Sequence, residues 1–325
     1  EFITVKDKIF VMGHQLTDVD SFGAAIGIYR AANALEKRAY IVINEVSASL
    51  KPLYTAYENN PDYPERLFLN SAEALELADE SSMVVVVDTN RPGMTECEEL
   101  LHVAKTIVVL DHHRQSSDNI DNALLSYIEP YASSACEMVS EVLQYIVDDI
   151  KIPNLEASSL YAGIMIDTNN FMNKTGVRTF EAAAFLRRSG ADITLVRKMF
   201  RDDMESYRAK AQIISSAEVY HNKYAIARGE NLTIESPTII GAQAANELLD
   251  INEVKASFVL TTYNGRIYVS ARSIDEVNVQ IIMERLGGGG HMNASGAQFD
   301  HTDMDEAVAD LKQVIDDVIE GGEIE

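Results

Sequence analysis

The sequence predicts an α/β protein with two domains. The larger N-terminal domain is expected to hold a parallel sheet flanked by helices, and a helical connector to lead to a smaller α+β C-terminal domain. Apolar runs of strand length alternate with helical patterns through residues 1–192, which is typical of a parallel sheet covered on both faces. Residues 215–325 instead mix strands with helices, and a chain of 325 residues is long enough for two separate cores.

The first domain contains four runs that predict strands, which are Ile9–Met12, Tyr40–Ile43, Met83–Val87 and Thr106–Leu110. Apolar residues at helical spacing predict the helices that lie among and after these strands. One helix is expected to begin near Ser21, and the others to span Ser71–Ala78, Leu155–Ile166 and Phe180–Arg188, with Gly190 ending the last.

Residues 193–214 have a charged helical pattern and are expected to form the connector. The second domain, residues 215–325, is expected to contain strands and helices in mixed order, with a type I′ hairpin at Asn264-Gly265. Its predicted strands are Tyr224–Arg228, Ala256–Tyr263 and Arg266–Ala271, and its predicted helices are Ile239–Leu249 and Val279–Leu286.

The composition excludes some classes of partner. A formal net charge of −24 argues against long nucleic acids, which bind through many Lys and Arg contacts to phosphate. No stretch approaches the roughly 18 apolar residues that a membrane helix needs. Cys97 and Cys136 form no paired motif, so we expect reduced thiols in a cytoplasmic protein. The chain begins Glu1-Phe2-Ile3 without an initiating Met, so we expect a soluble fragment of a longer parent.

Acidic and histidine residues follow apolar segments that are far apart in the sequence. They are His14, Asp18 and Asp20 after the first strand, Asp88 after the third, Asp111, His112 and His113 after the fourth, and Asp167 after Ala162–Ile166. In an open α/β sheet the carboxyl ends of the strands share one edge, where ligands bind. We therefore expect these side chains to converge.

A single Asp after a strand is weak evidence for a site, because Asp is common in turns and at helix N-caps. Several converging carboxylates and imidazoles repel one another unless a cation neutralises them. Asp and His together suit Mn²⁺, Fe²⁺ or Zn²⁺, and the absence of thiolate favours the harder of these ions. The set is large enough for two ions that share a bridging carboxylate, an arrangement that catalyses in-line displacement at phosphorus.

The spacing His14-x3-Asp18-x-Asp20 and the run Asp111-His112-His113 resemble the motifs of the DHH phosphoesterase superfamily, over nearly the whole chain. That superfamily includes RecJ-like nucleases, oligoribonucleases and polyphosphatases. The resemblance implies two Mn²⁺ ions, with Asp111 orienting a histidine and His113 facing the substrate phosphate as donor or general acid. The implied ligands are His14, Asp18 and Asp88 for one ion, and Asp20, Asp88, His112 and Asp167 for the other, with Asp88 bridging.

A glycine-rich motif and a basic residue indicate phosphate binding in the second domain. Gly287 is followed by Gly288, Gly289, Gly290 and His291, and consecutive glycines let backbone N–H groups approach a phosphate closely. Upstream, Ser270 and Arg272 are two apart on a predicted strand and so share one face. Arg272 supplies a bidentate fork and Ser270 a hydroxyl donor. Together these features resemble the DHH-associated domain, which contacts nucleotide substrates.

Within the superfamily, the chain most resembles the catalytic region of GdpP-type cyclic-di-AMP phosphodiesterases. The features that carry this resemblance are the four-glycine motif, Asp167–Phe171 and Thr175–Ala183. The resemblance implies that Arg178 lies near the substrate. The chain departs from the pattern at Lys174, where Arg is expected, so the positive charge is kept there but the bidentate fork is lost.

The resemblance implies an enzyme that hydrolyses cyclic-di-AMP to linear 5′-pApA in a Mn²⁺-dependent, bacterial signalling role. It also implies a membrane-anchored parent at the cytoplasmic face of the cell membrane, and we expect a homodimer. Two alternatives stay open. One is an oligoribonuclease or 3′-phosphoadenosine phosphatase of the same superfamily, and the other is a module that senses cyclic dinucleotides without turnover. The net charge disfavours a polynucleotide exonuclease, and the absence of a Lys-rich C-terminal motif disfavours a family pyrophosphatase.

Overall fold

The computed structural model describes residues 3–115, 117–234, 236–274, 277–300, 302–322 and 324. Glu1 and Phe2, part of the N-terminal segment discussed above, lie outside the described residues. The chain divides into two compact units, Glu1–Arg201 and Asp202–Glu325. Among the described residues there is no helix that is both long enough and apolar enough to cross a membrane.

The first unit is built on a six-stranded, fully parallel sheet. Its strands are β1 (Lys8–Met12), β2 (Arg38–Val42), β3 (Phe68–Leu69), β4 (Met83–Val87), β5 (Thr106–Asp111) and β6 (Leu125–Ile128), in the order β3-β2-β1-β4-β5-β6. Alternate residues of β1 enter different cores, because Ile9 and Val11 belong to one apolar cluster and Phe10 and Met12 to another. The sheet is therefore covered on both faces, and the predicted fold class is confirmed.

Helices cover both faces of this sheet. They are α1 (Val19–Ala34), α2 (Lys51–Glu58), α3 (Ser71–Leu77), α4 (Leu100–Val103), α5 (Ala135–Ile146), α6 (Asn154–Asp167), α7 (Val177–Arg188) and α8 (Ile193–Met199). Helix α1 begins two residues before Ser21, because the Asp18 side chain caps it by accepting a hydrogen bond of 2.9 Å from the Ser21 backbone N–H. Asp18 is thus both a helix cap and a predicted metal ligand.

The second unit has a mixed sheet with helices on both faces. It comprises α9 (Met204–Ser215), β7 (Glu218–Tyr220), β8 (Tyr224–Gly229), α10 (Pro237–Leu248), β9 (Ala256–Tyr263), β10 (Arg266–Ser273), α11 (Val279–Arg285), β11 (Gly289–His291), β12 (Ala294–Phe299) and α12 (Met304–Glu320). The strand order is β11-β12-β10-β9-β8-β7, in which β8 and β9 are parallel and the other neighbours antiparallel. Asn264 and Gly265 have φ of 49° and 72°, as a type I′ hairpin requires.

The structure differs from the sequence-based prediction in the connector and in the glycine run. The region expected to be a helical connector consists of two helices, α8 and α9, which fall in different units. Helix α9 starts anew because the Asp203 side chain caps it. The glycine run is more than a loop, since Gly289–His291 pairs with β12 as an edge strand.

Helix α1 packs closely against α5 and α6 through glycines. A Cβ added to Gly23 would lie 2.6 Å from Cys136 Sγ and 2.7 Å from the backbone oxygen of Ser159. Both distances are shorter than a normal contact, and Ser159 could not yield unless α6 moved. The small residue therefore sets the spacing between α1, which carries Asp20, and α6, which carries Asp167.

We predict that Gly23→Ala destabilises the first unit. Helix propensity alone would stabilise the variant by about 1 kcal/mol, whereas overpacking costs about 1–3 kcal/mol, so we expect the free energy of unfolding to fall in a urea titration. Gly93→Ala is the control, because its added Cβ meets nothing closer than 3.9 Å. A Gly23→Ala variant more stable than the wild type would show that the helices are not held at this spacing by contact.

Candidate metal centre

Asp88 lies at the centre of the site, directly after β4 in the middle of the parallel sheet. It is 2% exposed and has φ of 61°, in the left-handed region that Asp tolerates better than most residues. Its backbone N–H donates to the carbonyl of Leu110 at 2.9 Å, which extends the pairing of β4 with β5 by one residue. This turn directs the carboxylate toward side chains from the neighbouring strand ends.

His14 and Asp18 form the first group with Asp88. His14 Nε2 lies 3.4 Å from Asp88 Oδ2 and 3.7 Å from Asp18 Oδ2. His14 follows β1 and pairs with Thr95 in an isolated β-bridge, which fixes the backbone that carries the ring. Donor atoms of the three residues lie within 4.8 Å of one another, so together they could hold an ion.

Asp20, His112 and Asp167 form the second group. His112 Nε2 lies 3.2 Å from Asp88 Oδ1, 3.6 Å from Asp167 Oδ2 and 3.8 Å from Asp20 Oδ2. Asp167 is the last residue of α6, so a helix rather than a strand delivers it to the edge of the sheet. Because His14 and His112 approach opposite oxygens of Asp88, the two groups meet at this carboxylate.

Asp20 is held in place by the start of α5. Its carboxylate oxygens accept hydrogen bonds from the backbone N–H groups of Ala135 at 2.7 Å and Cys136 at 2.9 Å. A helix N-terminus carries partial positive charge and unpaired N–H groups, so it stabilises a buried carboxylate. Asp20 therefore keeps a defined orientation even though it is almost fully buried.

A short hydrogen-bonded chain positions His113. Asp111 Oδ1 accepts from the backbone N–H of His113 at 3.1 Å and contacts its ring Nδ1 at 2.9 Å. Asn90 Nδ2 donates to the other oxygen of Asp111 at 2.5 Å. Asp111 is fully buried, whereas the side chain of His113 is 49% exposed. The ring is thus anchored at Nδ1, with much of its surface open to solvent.

The pKa values of the site reflect attraction between imidazoles and carboxylates as well as repulsion among the carboxylates. Burial opposes the charged form of His14 and His112, but the neighbouring carboxylates outweigh it and raise their pKa values to about 10 and about 9. Burial also opposes ionisation of Asp88, but His112 and His14 lower its pKa to about 2. Burial and the charge of Asp88 raise the pKa of Asp20 well above its usual value, and that of Asp167 to about 6. The protonated imidazoles of His14 and His112 thus offset part of the negative charge of the neighbouring carboxylates.

The donor set fits divalent ions. Asp88 Oδ1 is buried and accepts no well-aligned hydrogen bond from the described residues, although His112 Nε2 lies 3.2 Å from it. A buried carboxylate oxygen is costly to leave unpaired. Donor atoms around an octahedral ion at about 2.1 Å lie about 3 Å apart, close to the 3.2–3.8 Å separations seen here. Oxygen and imidazole donors without thiolate suit Mn²⁺ and similar ions.

The residues predicted to bind phosphate in the second unit share one face of its sheet. Ser270 pairs with Gly296, which pairs with Gly289, and Arg272 pairs with Ala294, which pairs with His291. Residues directly opposite in neighbouring strands point to the same face. The register therefore places Ser270 and Arg272 of β10 level with Gly289 and His291 of β11, on the other side of β12.

Arg272 is partly desolvated. Its guanidinium donates to the carbonyl of Ala271 at 2.9 Å, and burial lowers its pKa. Within the described part of the chain it forms no ion pair with a carboxylate. A half-buried cation that pairs with none of the described carboxylates is suited to bind an anionic ligand.

Comparison with protein-family models identifies both halves of the chain. The model of the DHH family, N-terminal domain, matches residues 8–164, and that of the DHHA1 domain matches residues 232–320. The chain contains a DHH domain followed by a DHHA1 domain. The DHH match includes every predicted metal ligand except Asp167, which lies three residues beyond its end.

Individual curated relatives match most of the length of the chain. The chain is 41% identical over 325 residues to cyclic-di-AMP phosphodiesterase GdpP of Geobacillus thermodenitrificans, covering 99% of this chain and 49% of that protein. It is 29% identical over 304 residues to the bifunctional oligoribonuclease and PAP phosphatase NrnA of Mycoplasma genitalium, covering 90% and 88%. This chain spans about half the length of the cyclic-di-AMP phosphodiesterases it matches.

One solved structure shows the same fold. An exopolyphosphatase-related protein from Bacteroides fragilis superposes with a TM-score of 0.81 at 22% identity, covering 98% of this chain and 94% of that protein. At this identity the match supports the DHH and DHHA1 fold and says nothing about substrate.

Arg178 has partners that its sequence position did not reveal. In the first turn of α7, its guanidinium forms a bidentate pair with Glu141, with both hydrogen bonds at 2.7 Å, and donates to the Tyr127 hydroxyl at 3.1 Å. Glu129 and Glu137 lie at 3.5 and 3.8 Å. Glu141 and Tyr127 raise the pKa of Arg178, Glu141 most of all. Its contact with substrate stays a prediction, and any phosphate would compete with Glu141.

Asn90 was not among the predicted site residues. The only sequence signal for it is its position two residues after Asp88, and Asn is common in loops for many reasons. Asn90 orients Asp111 by donating a hydrogen bond to its carboxylate, and Asp111 belongs to the neighbouring strand β5.

We predict that Asp88→Asn lowers metal occupancy below one ion per chain and leaves the fold intact. The amide keeps the shape of the side chain but removes the negative charge on which both groups depend. Elemental analysis after dialysis against Mn²⁺ measures occupancy, and circular dichroism checks folding. Asp79→Asn, on the exposed pair with Lys8, is the matched control and should retain the wild-type ion content. Full occupancy in Asp88→Asn would remove this residue from the centre of the site.

Proposed function

We propose that this chain hydrolyses a phosphodiester of cyclic-di-AMP and releases linear 5′-pApA, using two Mn²⁺ ions. The convergence of two donor groups on Asp88 is the observation that carries the proposal, because a shared carboxylate suits a pair of ions. The chemistry that such ions supply when bound is polarisation of the phosphoryl group and activation of water for in-line attack. The 41% identity with a protein named cyclic-di-AMP phosphodiesterase supports the choice of substrate.

The DHH domain supplies the proposed ligands. His14, Asp18 and Asp88 would hold one ion. Asp20, Asp88, His112 and Asp167 would hold the other. Each group contains an imidazole whose Nε2 lies within 3.4 Å of Asp88. The number and identity of the ions are part of the proposal.

His113 is the proposed donor to the reacting phosphate. Asp111 accepts from Nδ1, which leaves Nε2 of the half-exposed ring to meet a phosphoryl or leaving-group oxygen. Asp111 is the positioning residue in this pair, because it fixes the orientation of the ring and favours the tautomer with a proton on Nδ1. General acid catalysis of this kind contributes about 10²–10⁴-fold.

The DHHA1 domain supplies the proposed substrate contacts. Gly288, Gly289 and Gly290 offer backbone N–H groups, and Ser270, Arg272 and His291 offer side-chain donors on the same sheet. Arg178 of the DHH domain is a further proposed contact. The homodimer and the membrane-anchored parent at the cytoplasmic face of the cell membrane stay predictions.

An oligoribonuclease or 3′-phosphoadenosine phosphatase is the second candidate, because NrnA of Mycoplasma genitalium matches along most of both chains. A sensing module without turnover is less well supported. All the proposed ligands are present and lie close together, whereas a binding module has no need of them.

A substrate comparison tests the proposal. With Mn²⁺, product formation from cyclic-di-AMP should be faster than from cyclic-di-GMP, and should stop at the linear dinucleotide. Chromatography over a time course measures each product. Faster hydrolysis of linear dinucleotides or of 3′-phosphoadenosine 5′-phosphate would favour the second candidate. Binding of cyclic-di-AMP without any product would favour the sensing module.

The substrate contacts are tested separately from the metals. Arg272→Ala and His291→Ala should keep the wild-type ion content and raise KM by roughly 10- to 150-fold, because a charge-assisted hydrogen bond contributes about 1.5–3 kcal/mol. Arg266→Ala, on the same strand but exposed at its start, is the matched control and should leave KM unchanged. Wild-type KM in both Arg272→Ala and His291→Ala would show that this sheet does not bind substrate.

A further inference from the structure

The backbone is left-handed at successive residues directly after Asp167. Asn169, Asn170 and Phe171 have φ of 46°, 58° and 64°. Asn adopts this conformation readily, but an aromatic residue does so rarely because its side chain crowds the backbone. Strained backbone of this kind clusters at binding and catalytic sites, so the conformation of Phe171 indicates a functional role for this turn.

Thr168 holds the turn together. Its hydroxyl accepts from the backbone N–H of Phe171 at 3.0 Å, and its carbonyl accepts from the N–H of Met172 at 2.9 Å. The N–H of Asn170 donates to the carbonyl of Met165 at 2.7 Å. These bonds fix the backbone of Phe171 in its unusual conformation.

The ring of Phe171 stacks on that of Phe180 from α7. The centroids are 5.9 Å apart and the rings are inclined by 25°, while Tyr161 supports Phe171 from α6 at 5.7 Å. Phe180 is 55% exposed, so part of its ring is open to solvent. We call Phe171 and Phe180 the aromatic platform.

The aromatic platform lies beside the metal centre. Phe171 is four residues from Asp167, so their Cα atoms are at most about 14 Å apart even in an extended chain, and the turn shortens this distance. Lys174, at the end of the same turn, lies within electrostatic range of Asp167. A nucleotide whose phosphate sits at the metal centre would have its base within reach of this surface.

We propose that one nucleobase of the substrate stacks on the aromatic platform, which makes Phe180 a specificity-determining residue. This inference rests on the proposed function, because it needs a nucleotide at the metal centre. Stacking accepts any base, since every base has a π face. The platform would therefore select nucleotides over other phosphodiesters, while the choice among bases is made elsewhere.

Phe180→Ala tests the inference. A stacked base lost from an aromatic side chain weakens binding about 5- to 150-fold, so KM for cyclic-di-AMP should rise by that factor with unchanged ion content. Phe180→Trp keeps a stacking surface and should restore KM. Tyr145→Ala is the matched control, because Tyr145 is an 89% exposed aromatic residue at the end of α5 and should have no effect.

A second substrate separates stacking from general damage. The affinity of linear dinucleotides in which one base or the other is replaced by hydrogen is compared with that of the intact dinucleotide. For one of the two, Phe180→Ala should cause a smaller loss of affinity than it does for the intact dinucleotide. Equal losses of affinity for all of these dinucleotides, or unchanged affinity for all of them, would overturn the inference. A shift in oligomeric state with wild-type KM would instead assign Phe180 to a protein interface, which also overturns it.

Equilibrium binding of the dinucleotides distinguishes this inference from the proposed function. If the wild type binds cyclic-di-AMP but forms no product, the proposed hydrolysis is wrong, and the affinity of Phe180→Ala for this dinucleotide still decides whether the base stacks. If the wild type turns over the dinucleotide and Phe180→Ala binds it equally well, the hydrolysis stands and the stacking is wrong.

Discussion

The concentration of carboxylates at the carboxyl edge of the first sheet is the constraint on which the site depends. Asp20, Asp88 and Asp111 are almost fully buried, and Asp18 and Asp167 lie close to them. Buried like charges are tolerated only when cations or hydrogen-bond donors offset them. His14 and His112 offset part of this charge when protonated. Divalent ions would replace those protons, which is why metal binding and protonation are expected to compete.

The fold stabilises these carboxylates with neutral hydrogen-bond donors rather than with further charged residues. The first turn of α5 donates to Asp20, and Asn90 donates to Asp111. Close packing of α1 on α6 at Gly23 sets the positions from which Asp20 and Asp167 approach. Neutral donors of this kind leave the negative charge available, so the edge remains attractive to cations. The residues proposed to bind the anionic part of the substrate belong to the DHHA1 domain, in the second unit of the chain.

Most of the fold could be predicted from sequence because its main strands are long and apolar. Met83–Val87 and Ala256–Tyr263 were predicted with the bounds that the structure shows. Strand β6 was not predicted, because it is only four residues long and largely exposed, so it lacks the apolar run of a buried strand. The convergence of His14, Asp88 and His112 followed from the rule for parallel strand ends, whereas Asn90 and the partners of Arg178 depend on contacts between elements. The left-handed turn at Phe171 has no sequence signature, because Phe is not a residue that favours it.

The central claim is that two ions share Asp88. Anomalous diffraction from crystals grown with Mn²⁺, recorded at the manganese edge, tests it most directly. The account predicts two peaks per chain, roughly 3.5–4 Å apart, with one oxygen of Asp88 coordinated to each ion or one oxygen between them. His14 should ligate one peak and His112 the other. A single peak, or two peaks of which only one contacts Asp88, would contradict the account.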